Sequence, residues 1–222
     1  MPARDRAVVL VSGGMDSCVT AAIAARDHDV AFVHAGYGQR TERKERACFT
    51  ALADHFGVER RLLIRLDHLR EIGGSSLTDP ALAVPHGGPG PGIPSTYVPF
   101  RNAQLLSAAV SWAEALGARG VFIGAVEEDS SGYPDCRRAF FDAFEAMIDQ
   151  GTRPETRVRV VTPVIQMTKS SIVALGLELG VPFHLTWSCY QDEERACGTC
   201  DSCVLRRRAF SQAGVPDPLP YR

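Results

Sequence analysis

Short runs of apolar residues alternate along the chain with longer amphipathic segments. The apolar runs predict five strands and the longer segments predict six helices. The predicted strands are 7–11, 30–35, 61–66, 121–126 and 158–162, and the predicted helices are 16–26, 41–56, 101–116, 138–150, 168–179 and 201–213. Strands that are apolar throughout are typical of a sheet covered on both faces. The pattern therefore predicts an α/β fold with a doubly wound, mostly parallel sheet.

Two segments stand outside this alternation. Residues 73–99 are dense in Gly and Pro and are too long for a plain connection, so they predict a mobile loop or lid. Residues 185–222 contain clustered cysteines and the last predicted helix. We expect a catalytic domain over 1–184 and a small C-terminal element over 185–222.

The composition of the 222 residues, 45% hydrophobic and 23% charged, is that of a folded globular protein. A net charge of -2 argues against direct nucleic-acid binding through bulk charge. No apolar run approaches the roughly 20 residues of a membrane span, and the N-terminal residues lack the apolar region of a signal peptide. We therefore expect a cytoplasmic protein without membrane contact.

The segment Ser12–Ser17, SGGMDS, joins the first predicted strand to the first predicted helix. Two glycines let the backbone approach an oxyanion, and a helix N-terminus supplies free N–H groups. A capped glycine turn is the alternative for SGG alone, but the full motif in this context favours phosphate binding. The candidate nucleotide-binding residues are Val11, Ser12, Gly13, Gly14, Met15, Asp16 and Ser17.

Four of the seven cysteines lie close together: Cys189, Cys197, Cys200 and Cys203. Four thiolates at this spacing are suited to a tetrahedral, structural zinc site. An iron–sulfur cluster or free thiols are alternatives. Val204 stands where ferredoxins have proline after the last cysteine, which favours zinc.

Basic residues follow the cysteines at Arg206, Arg207 and Arg208. We expect them to form a solvated helix face, with contact to a partner or nucleic acid as the alternative. Lys169 is expected at a helix start, where a cation opposes the helix dipole, so an anion is expected beside it. His34 is expected to be a structural polar group and Cys136 a buried structural thiol.

The SGGMDS segment resembles the pyrophosphate loop of the N-type ATP pyrophosphatases. The order of SGGMDS and the cysteine cluster resembles, more narrowly, the 7-cyano-7-deazaguanine synthase family. Further agreeing pieces are YGQR at 37–40, VPFRN at 98–102, GYPDCR at 132–137, and Thr162-Pro163 followed by Lys169. The resemblance covers nearly the whole chain and implies an adenine nucleotide alpha hydrolase-like, Rossmann-like sheet.

The resemblance implies an ATP-dependent C–N ligase in queuosine precursor biosynthesis. Its substrates are 7-carboxy-7-deazaguanine, ATP and ammonia, and the carboxylate becomes an amide and then a nitrile through adenylation. The implied cofactors are ATP, Zn²⁺ and Mg²⁺, and the implied assembly is a homodimer. Ammonia is expected to come free from solution, because nothing in the chain resembles a glutaminase domain.

The candidate catalytic residues are Asp16, Lys169 and Arg101, and the candidate substrate-binding residues are Gln39, Arg101, Asn102, Tyr133, Asp135 and Arg137. Asp16 is suited to placing Mg²⁺. Arg101 and Arg137 are suited to a carboxylate, and Asp135 to the N–H groups of a deazaguanine. Capping, turn and surface roles are the alternatives for these residues.

The chain departs from the family at Thr41, which follows YGQR where we expect His, and this weakens an acid–base role there. The Gly/Pro segment around 85–94 is also expanded. Two other functions are considered. One is a related enzyme that stops at the amide, transfers the base to a macromolecule or modifies tRNA. The other is a zinc-containing binding module without catalysis.

Overall fold

In the computed structural model, which describes residues 4–88, 90, 92–127 and 132–222, five parallel strands form one sheet. The strands are β1 (Arg6–Leu10), β2 (Asp29–Gly36), β3 (Arg61–Arg65), β4 (Gly120–Ile123) and β5 (Arg159–Val161). The helices are α1 (Met15–Asp27), α2 (Glu42–His55), α3 (His68–Ile72), α4 (Arg101–Leu116), α5 (Arg138–Gly151), α6 (Lys169–Glu178) and α7 (Asp201–Gln212). Short 3₁₀ turns span Pro134–Cys136 and Phe183–Leu185.

The strand order is β3-β2-β1-β4-β5. Strands β2 and β3 lie on one side of β1, and β4 and β5 lie on the other, so the strand order reverses between β1 and β4. In the pairing of β1 with β4, Val8 is opposite Val121 and Val9 is opposite Phe122. In sheets of this kind, ligands bind beyond the carboxyl ends of the strands at such a switch point. The predicted doubly wound α/β fold is confirmed, with all five strands and six helices in place.

Hydrophobic residues fill both faces of the sheet. Val9 and Phe32 point to the layer that contains α1, α2, α6 and α7, whereas Val8 and Val33 point to the layer of α4 and α5. This alternation within a continuously apolar run explains why the strands carry no polar face. Phe210 of α7 belongs to the first of these layers, and the division at 184/185 stays a prediction.

Helix α3 was not predicted, because five residues are too few to show a helical period. None of the helices in the described part of the chain is both long and apolar enough to cross a membrane.

The described part of the Gly/Pro-rich segment 73–99 is anchored by hydrogen bonds to other parts of the chain. Arg40 donates hydrogen bonds to the carbonyl oxygens of Ser76, Asp79 and Leu82 at 2.7–2.9 Å. His86 forms an antiparallel bridge with Cys200. The described part of the segment is thus tied to the loop after β2 and to the cysteine cluster, while residues 89 and 91 lie outside the described residues.

Candidate active site

The loop between β1 and α1 has the backbone geometry of an anion site. Gly13 has a φ of +89°, and a Cβ at this position would lie 2.8 Å from the Glu45 carbonyl oxygen. Glycine is therefore required both for the left-handed conformation and for the close approach of α2. Helix α1 follows Gly14 without a side-chain cap, so its first N–H groups are available to a bound anion.

Side chains on both sides of this loop hold its shape. The Ser17 hydroxyl donates to the Gly14 carbonyl oxygen at 2.9 Å, and the Ser12 and Ser17 hydroxyl oxygens lie 3.1 Å apart. The Trp187 amide donates to the Gly13 carbonyl oxygen at 2.8 Å. The C-terminal element therefore contacts the phosphate-type loop directly.

Asp16 and Lys169 form an ion pair at the entrance to this loop, with Oδ2 and Nζ 2.5 Å apart. Lys169 is the first residue of α6, whose preceding residue Thr168 caps it by accepting from the Ser171 amide. The anion expected beside Lys169 is thus Asp16. The other carboxylate oxygen, Asp16 Oδ1, is buried without a hydrogen-bond partner among the described residues. An orphaned carboxylate oxygen at a phosphate-type loop fits a divalent cation such as Mg²⁺.

A cavity of about 290 Å³ opens at the carboxyl ends of β1, β2 and β4 and includes this loop. Its lining has an apolar part at the strand ends, a polar and aromatic part, and a wall from the C-terminal element. The apolar part includes Leu10, Val33, Ala35, Ile123 and Ala125. The polar and aromatic part includes Tyr37, Gln39, Thr41, Glu45, Arg101, Asn102 and Tyr133. The wall from the C-terminal element includes Trp187, Ser188, Tyr190, Asp201, Ser202, Leu205 and Arg206.

Four of the six predicted substrate contacts line the cavity: Gln39, Arg101, Asn102 and Tyr133. Arg101 lies at the start of α4, where it donates to the Tyr37 hydroxyl at 3.0 Å and stacks over the Tyr37 ring. Its Nε is buried without a partner among the described residues. Arg101 is therefore held in place while part of its fork is free for an anionic ligand.

The other two predicted contacts, Asp135 and Arg137, are not brought into the cavity wall. Asp135 is 3% exposed and accepts from the Asn102 amide at 3.0 Å, while the Asn102 side chain donates to the Asp135 carbonyl oxygen at 2.9 Å. Asp135 thus anchors Asn102 from behind the wall. Arg137 is exposed at the start of α5. Their proposed substrate contacts stay predictions, and residues 128–131 of the same loop lie outside the described residues.

Cys136 and His34 are buried, as expected. Burial raises the pKa of the Cys136 thiol to about 11, so this thiol is protonated and a poor nucleophile at neutral pH. Burial lowers the pKa of His34, whose Nδ1 lies 2.9 Å from the Val11 carbonyl oxygen. His34 also stacks on Phe49 at 5.2 Å between ring centroids. A neutral, packed imidazole joins the ends of β1 and β2.

Glu45 was missed by sequence reasoning. It belongs to the charged run ERKER at 42–46, which has the pattern of a solvated helix face, yet its side chain lines the cavity. The Gln39 side-chain amide donates to Oε2 at 2.9 Å, and the Thr41 hydroxyl donates to Oε1 at 2.8 Å. Burial raises the pKa of the Glu45 carboxyl above its ordinary value. Thr41, at the position where the resemblance predicts His, therefore holds an acidic group.

The four clustered cysteines form a compact set of thiols whose sulfur atoms all lie within 4.8 Å of one another. The Cys197 and Cys203 sulfurs are 3.9 Å apart, close to the spacing of about 3.8 Å between ligands of a tetrahedral ion with 2.3 Å metal–sulfur bonds. Backbone amides donate to the sulfur atoms of Cys189 and Cys197. The donor set fits a closed, four-thiolate metal site.

We expected the three consecutive arginines to form a solvated helix face. This prediction is wrong for Arg206, which is 1% exposed. Arg206 pairs with Asp217 at 3.0 Å and donates to the Thr186 hydroxyl at 2.7 Å. The chain folds back after α7, and this brings the Asp217 carboxylate to the Arg206 guanidinium. The sequence pattern around Arg206 does not indicate this contact. Arg207 and Arg208 are exposed, as expected.

Comparisons with known proteins agree with this site. A family model described as "Queuosine biosynthesis protein QueC" matches residues 6–214. Proteins named 7-cyano-7-deazaguanine synthase are similar over nearly the whole length of both chains. The one from Chlorobium phaeobacteroides is 57% identical over 97% of this chain and 96% of its own. The one from Acidobacterium capsulatum is 56% identical over 99% and 98%.

Solved structures resemble the fold at much lower identity. An NMN synthetase from Francisella tularensis has a TM-score of 0.51 and 14% identity, covering 97% of this chain and 79% of that one. A predicted subunit of tRNA methyltransferase from Methanocaldococcus jannaschii has a TM-score of 0.52 and 15% identity, covering 98% and 92%. These likenesses support the doubly wound fold alone.

Proposed function

This chain belongs to the queuosine biosynthesis protein QueC family, and we propose that it converts 7-carboxy-7-deazaguanine and ammonia to 7-cyano-7-deazaguanine at the expense of ATP. The proposal rests on one cavity with two parts. The first part is the anion-binding loop after β1. The second is a wall of cationic and aromatic side chains from α4 and from the loop after β2. One end suits the phosphates of a nucleotide, and the other suits a flat, anionic heterocycle.

The chemistry explains why one nucleotide site serves two steps. A carboxylate is a poor electrophile until one of its oxygens becomes a leaving group. Adenylation supplies that leaving group, ammonia displaces AMP, and an amide results. The amide oxygen then needs a second adenylation before it can leave with AMP to give the nitrile. Both activations place an oxygen of the deazaguanine substituent against the α-phosphate of ATP.

The loop Ser12–Ser17 and Lys169 act on the phosphates in this proposal. The N–H groups at the start of α1 stabilise negative charge on the departing pyrophosphate. Lys169 adds a cation that faces the same loop, and the orphaned oxygen of Asp16 would hold Mg²⁺. When bound, Mg²⁺ would neutralise charge on the phosphate oxygens.

Arg101, Asn102, Tyr133 and Gln39 form the substrate side of the site. Arg101 would bind and orient the carboxylate of the deazaguanine, since its guanidinium is fixed by Tyr37 and retains an unpartnered N–H. Asp135 contributes by holding Asn102. Gln39 and Tyr133 present polar atoms beside an aromatic surface on which a flat base can stack.

We assign zinc to the four-cysteine cluster. A site closed by four thiolates has no open position for catalysis, so its role is structural. Its location explains what the metal stabilises: Tyr190 and Ser202 lie beside the ligands and line the cavity. The zinc would therefore fix one wall of the active site.

The homodimer implied by the family resemblance is also part of the proposal. Phe100 and Met147 are exposed apolar side chains, and the Phe100 ring contacts Phe140 of α5 at 6.2 Å between centroids. A second copy that covers this strip would remove apolar surface from water. Light scattering coupled to size-exclusion chromatography measures the mass of the assembly.

Mass spectrometry of the reaction products tests the function. The purified protein is incubated with 7-carboxy-7-deazaguanine, ATP, Mg²⁺ and ¹⁵N-ammonium, with a reaction lacking ATP as control. We expect a nitrile that contains ¹⁵N and two AMP for each nitrile formed. An amide as the end product would leave the second activation without support. Absence of both products from zinc-loaded protein would overturn the proposal.

A further inference from the structure

We propose that Glu45 is the base that removes the N–H proton during nitrile formation. The inference rests on the proposed function and deepens it, because it assigns a residue to the second half of the reaction. Adenylation of the amide oxygen makes the nitrogen acidic, and a first N–H proton passes to water, which leaves a neutral imidate bonded to AMP. In the step assigned to Glu45, this imidate loses its remaining N–H proton. The nitrogen electron pair forms the third C–N bond, the C–O bond breaks, and AMP leaves with the bonding pair. Glu45 accepts the proton and later releases it to water.

The position of α2 places Glu45 at the reacting centre. The Glu45 backbone packs so closely on the phosphate-type loop that a Cβ on Gly13 would be 2.8 Å from its carbonyl oxygen. Its side chain lines the same cavity as Lys169 and Arg101. The carboxylate therefore lines the same cavity as the loop expected to hold the phosphates, and it lies close enough to Arg101, the cation expected to hold the substrate, for that charge to affect its pKa.

Hydrogen bonds orient the carboxylate without occupying it. Each oxygen accepts one bond, from Gln39 at 2.9 Å and from Thr41 at 2.8 Å. A carboxylate oxygen accepts two such bonds, so both oxygens keep a lone pair for a proton. Gln39 is itself held, because its own carbonyl oxygen accepts from the Tyr37 amide at 2.9 Å.

The environment also suits proton acceptance. Burial raises the pKa of Glu45, and the hydrogen bonds from Gln39 and Thr41 and the charge of Arg101 oppose this effect. A base whose pKa lies nearer the working pH accepts a proton more readily in the transition state.

The other acid–base groups that line the cavity are less suited to this role. Asp16 Oδ2 is taken by Lys169, and the other Asp16 oxygen is the one suited to Mg²⁺. His34 and Asp201 also line the cavity. Burial lowers the pKa of His34, so its ring is a weaker base than an ordinary imidazole. Asp201 lies between Cys200 and Cys203, in the part of the wall that the cysteine cluster would hold. Glu45 combines an accessible side chain with a fixed orientation.

The two halves of the reaction differ in their need for a base. After ammonia attacks the acyl adenylate, the adduct carries a positively charged nitrogen that loses its proton to water readily. The remaining N–H group of the neutral adenylated amide is a much weaker acid. Removing Glu45 should therefore slow dehydration far more than amide formation.

The test compares Glu45→Gln with the native protein and with Glu42→Gln, a change of the same kind three residues earlier on α2, outside the cavity lining. Each zinc-loaded protein is given 7-carboxy-7-deazaguanine or, separately, the 7-amide, with ATP, Mg²⁺ and ammonium. Products are separated and weighed by mass spectrometry. Thermal melts and ATP binding confirm that each variant is folded.

For Glu45→Gln we expect amide formation within about threefold of the native rate and nitrile formation slowed at least 100-fold, so that the amide accumulates. Glu42→Gln should make the nitrile at the native rate. Nitrile production from the amide at the native rate by Glu45→Gln would overturn the inference, as would an equal loss in both steps. If the native protein itself makes no nitrile, the proposed function fails instead.

Discussion

Lys169 Nζ lies 2.5 Å from Asp16 Oδ2, although 153 positions separate these residues in the chain. The contact joins the starts of α1 and α6 beside the phosphate-type loop. It holds a cation at a helix N-terminus, where the helix dipole opposes it, so the local structure alone does not stabilise Lys169 there. The pair places one positive and one negative group where the phosphates and metal of a nucleotide are expected.

Replacing Lys169 with Met should reduce ATP-dependent product formation roughly 100-fold or more, because a group that stabilises developing charge is removed. Lys44→Met serves as the matched control, since the Lys44 ammonium lies over the Trp187 ring at 4.6 Å from its centroid and is not part of the cavity lining. Release of AMP measures the effect. Equal rates for the two variants would contradict a role for Lys169.

A methyl group on Gly13 should abolish nucleotide binding. Gly13→Ala combines a φ of +89° with the 2.8 Å clash against Glu45, whereas Gly57→Ala has a φ of +63° in open space. Gly57→Ala should lower the free energy of unfolding by about 1 kcal/mol and leave ATP binding intact. Calorimetric titration of ATP into both variants separates the clash from backbone strain.

Loss of the metal should disrupt a cavity wall as well as stability. Cys203→Ser should contain less than one zinc per chain and should lose more than about 4 kcal/mol of the free energy of unfolding. Chelation of the native protein should reduce nitrile formation, and added Zn²⁺, but not Mg²⁺, should restore it. Elemental analysis gives the zinc content. Full activity of protein shown to be metal-free would exclude the structural role.

The buried ion pair between Arg206 and Asp217 should be much more important than an exposed one. Asp217→Ala leaves the Arg206 guanidinium buried without its counter-charge and should destabilise the protein by about 3–5 kcal/mol. Asp54→Ala removes the partner of Arg61 at a carboxylate that is 64% exposed and should change stability by at most about 1 kcal/mol. Denaturant unfolding compares the two, and similar losses would contradict the prediction.

Glu45→Gln should stabilise the fold at neutral pH while it impairs the reaction. Because burial raises the pKa of Glu45 above its ordinary 4.5, the unfolded chain gives up this proton first as the pH rises. The carboxylate therefore lowers native stability from about pH 4.5 up to the folded-state pKa, and the loss persists above it. The variant should gain melting temperature at pH 7.5 but not at pH 4. A gain independent of pH would contradict this origin.

Local patterns were enough to predict the sheet and the loop after β1. Runs such as Ala7–Val11 are apolar because both faces of the sheet are covered, and Gly13 has a positive φ that favours glycine. The four cysteines are also a local signal, and the structure brings their sulfurs together.

Glu45 and Arg206 show where local patterns fail. Each belongs to a charged run of the kind that usually faces water. Glu45 turns inward because α2 packs against Gly13, and Arg206 is buried because Asp217 returns to it. The burial of such positions depends on which other segment of the chain covers the helix. The spacing of residue types along a single sequence does not show this. For Asp135, the resemblance predicted a contact with the substrate. Its carboxylate accepts a hydrogen bond from the Asn102 amide, and the substrate contact stays a prediction.

The cavity wall takes residues from Leu10 through Arg206, and this has a consequence for synthesis on the ribosome. The phosphate-type loop emerges among the first residues, yet the wall opposite it, with Tyr190 and Ser202, emerges near the end of translation. A nascent chain can form the early strands without possessing a competent site. We therefore expect activity to arise late, only after the residues of this wall have left the exit tunnel, and we expect unfinished chains not to consume ATP.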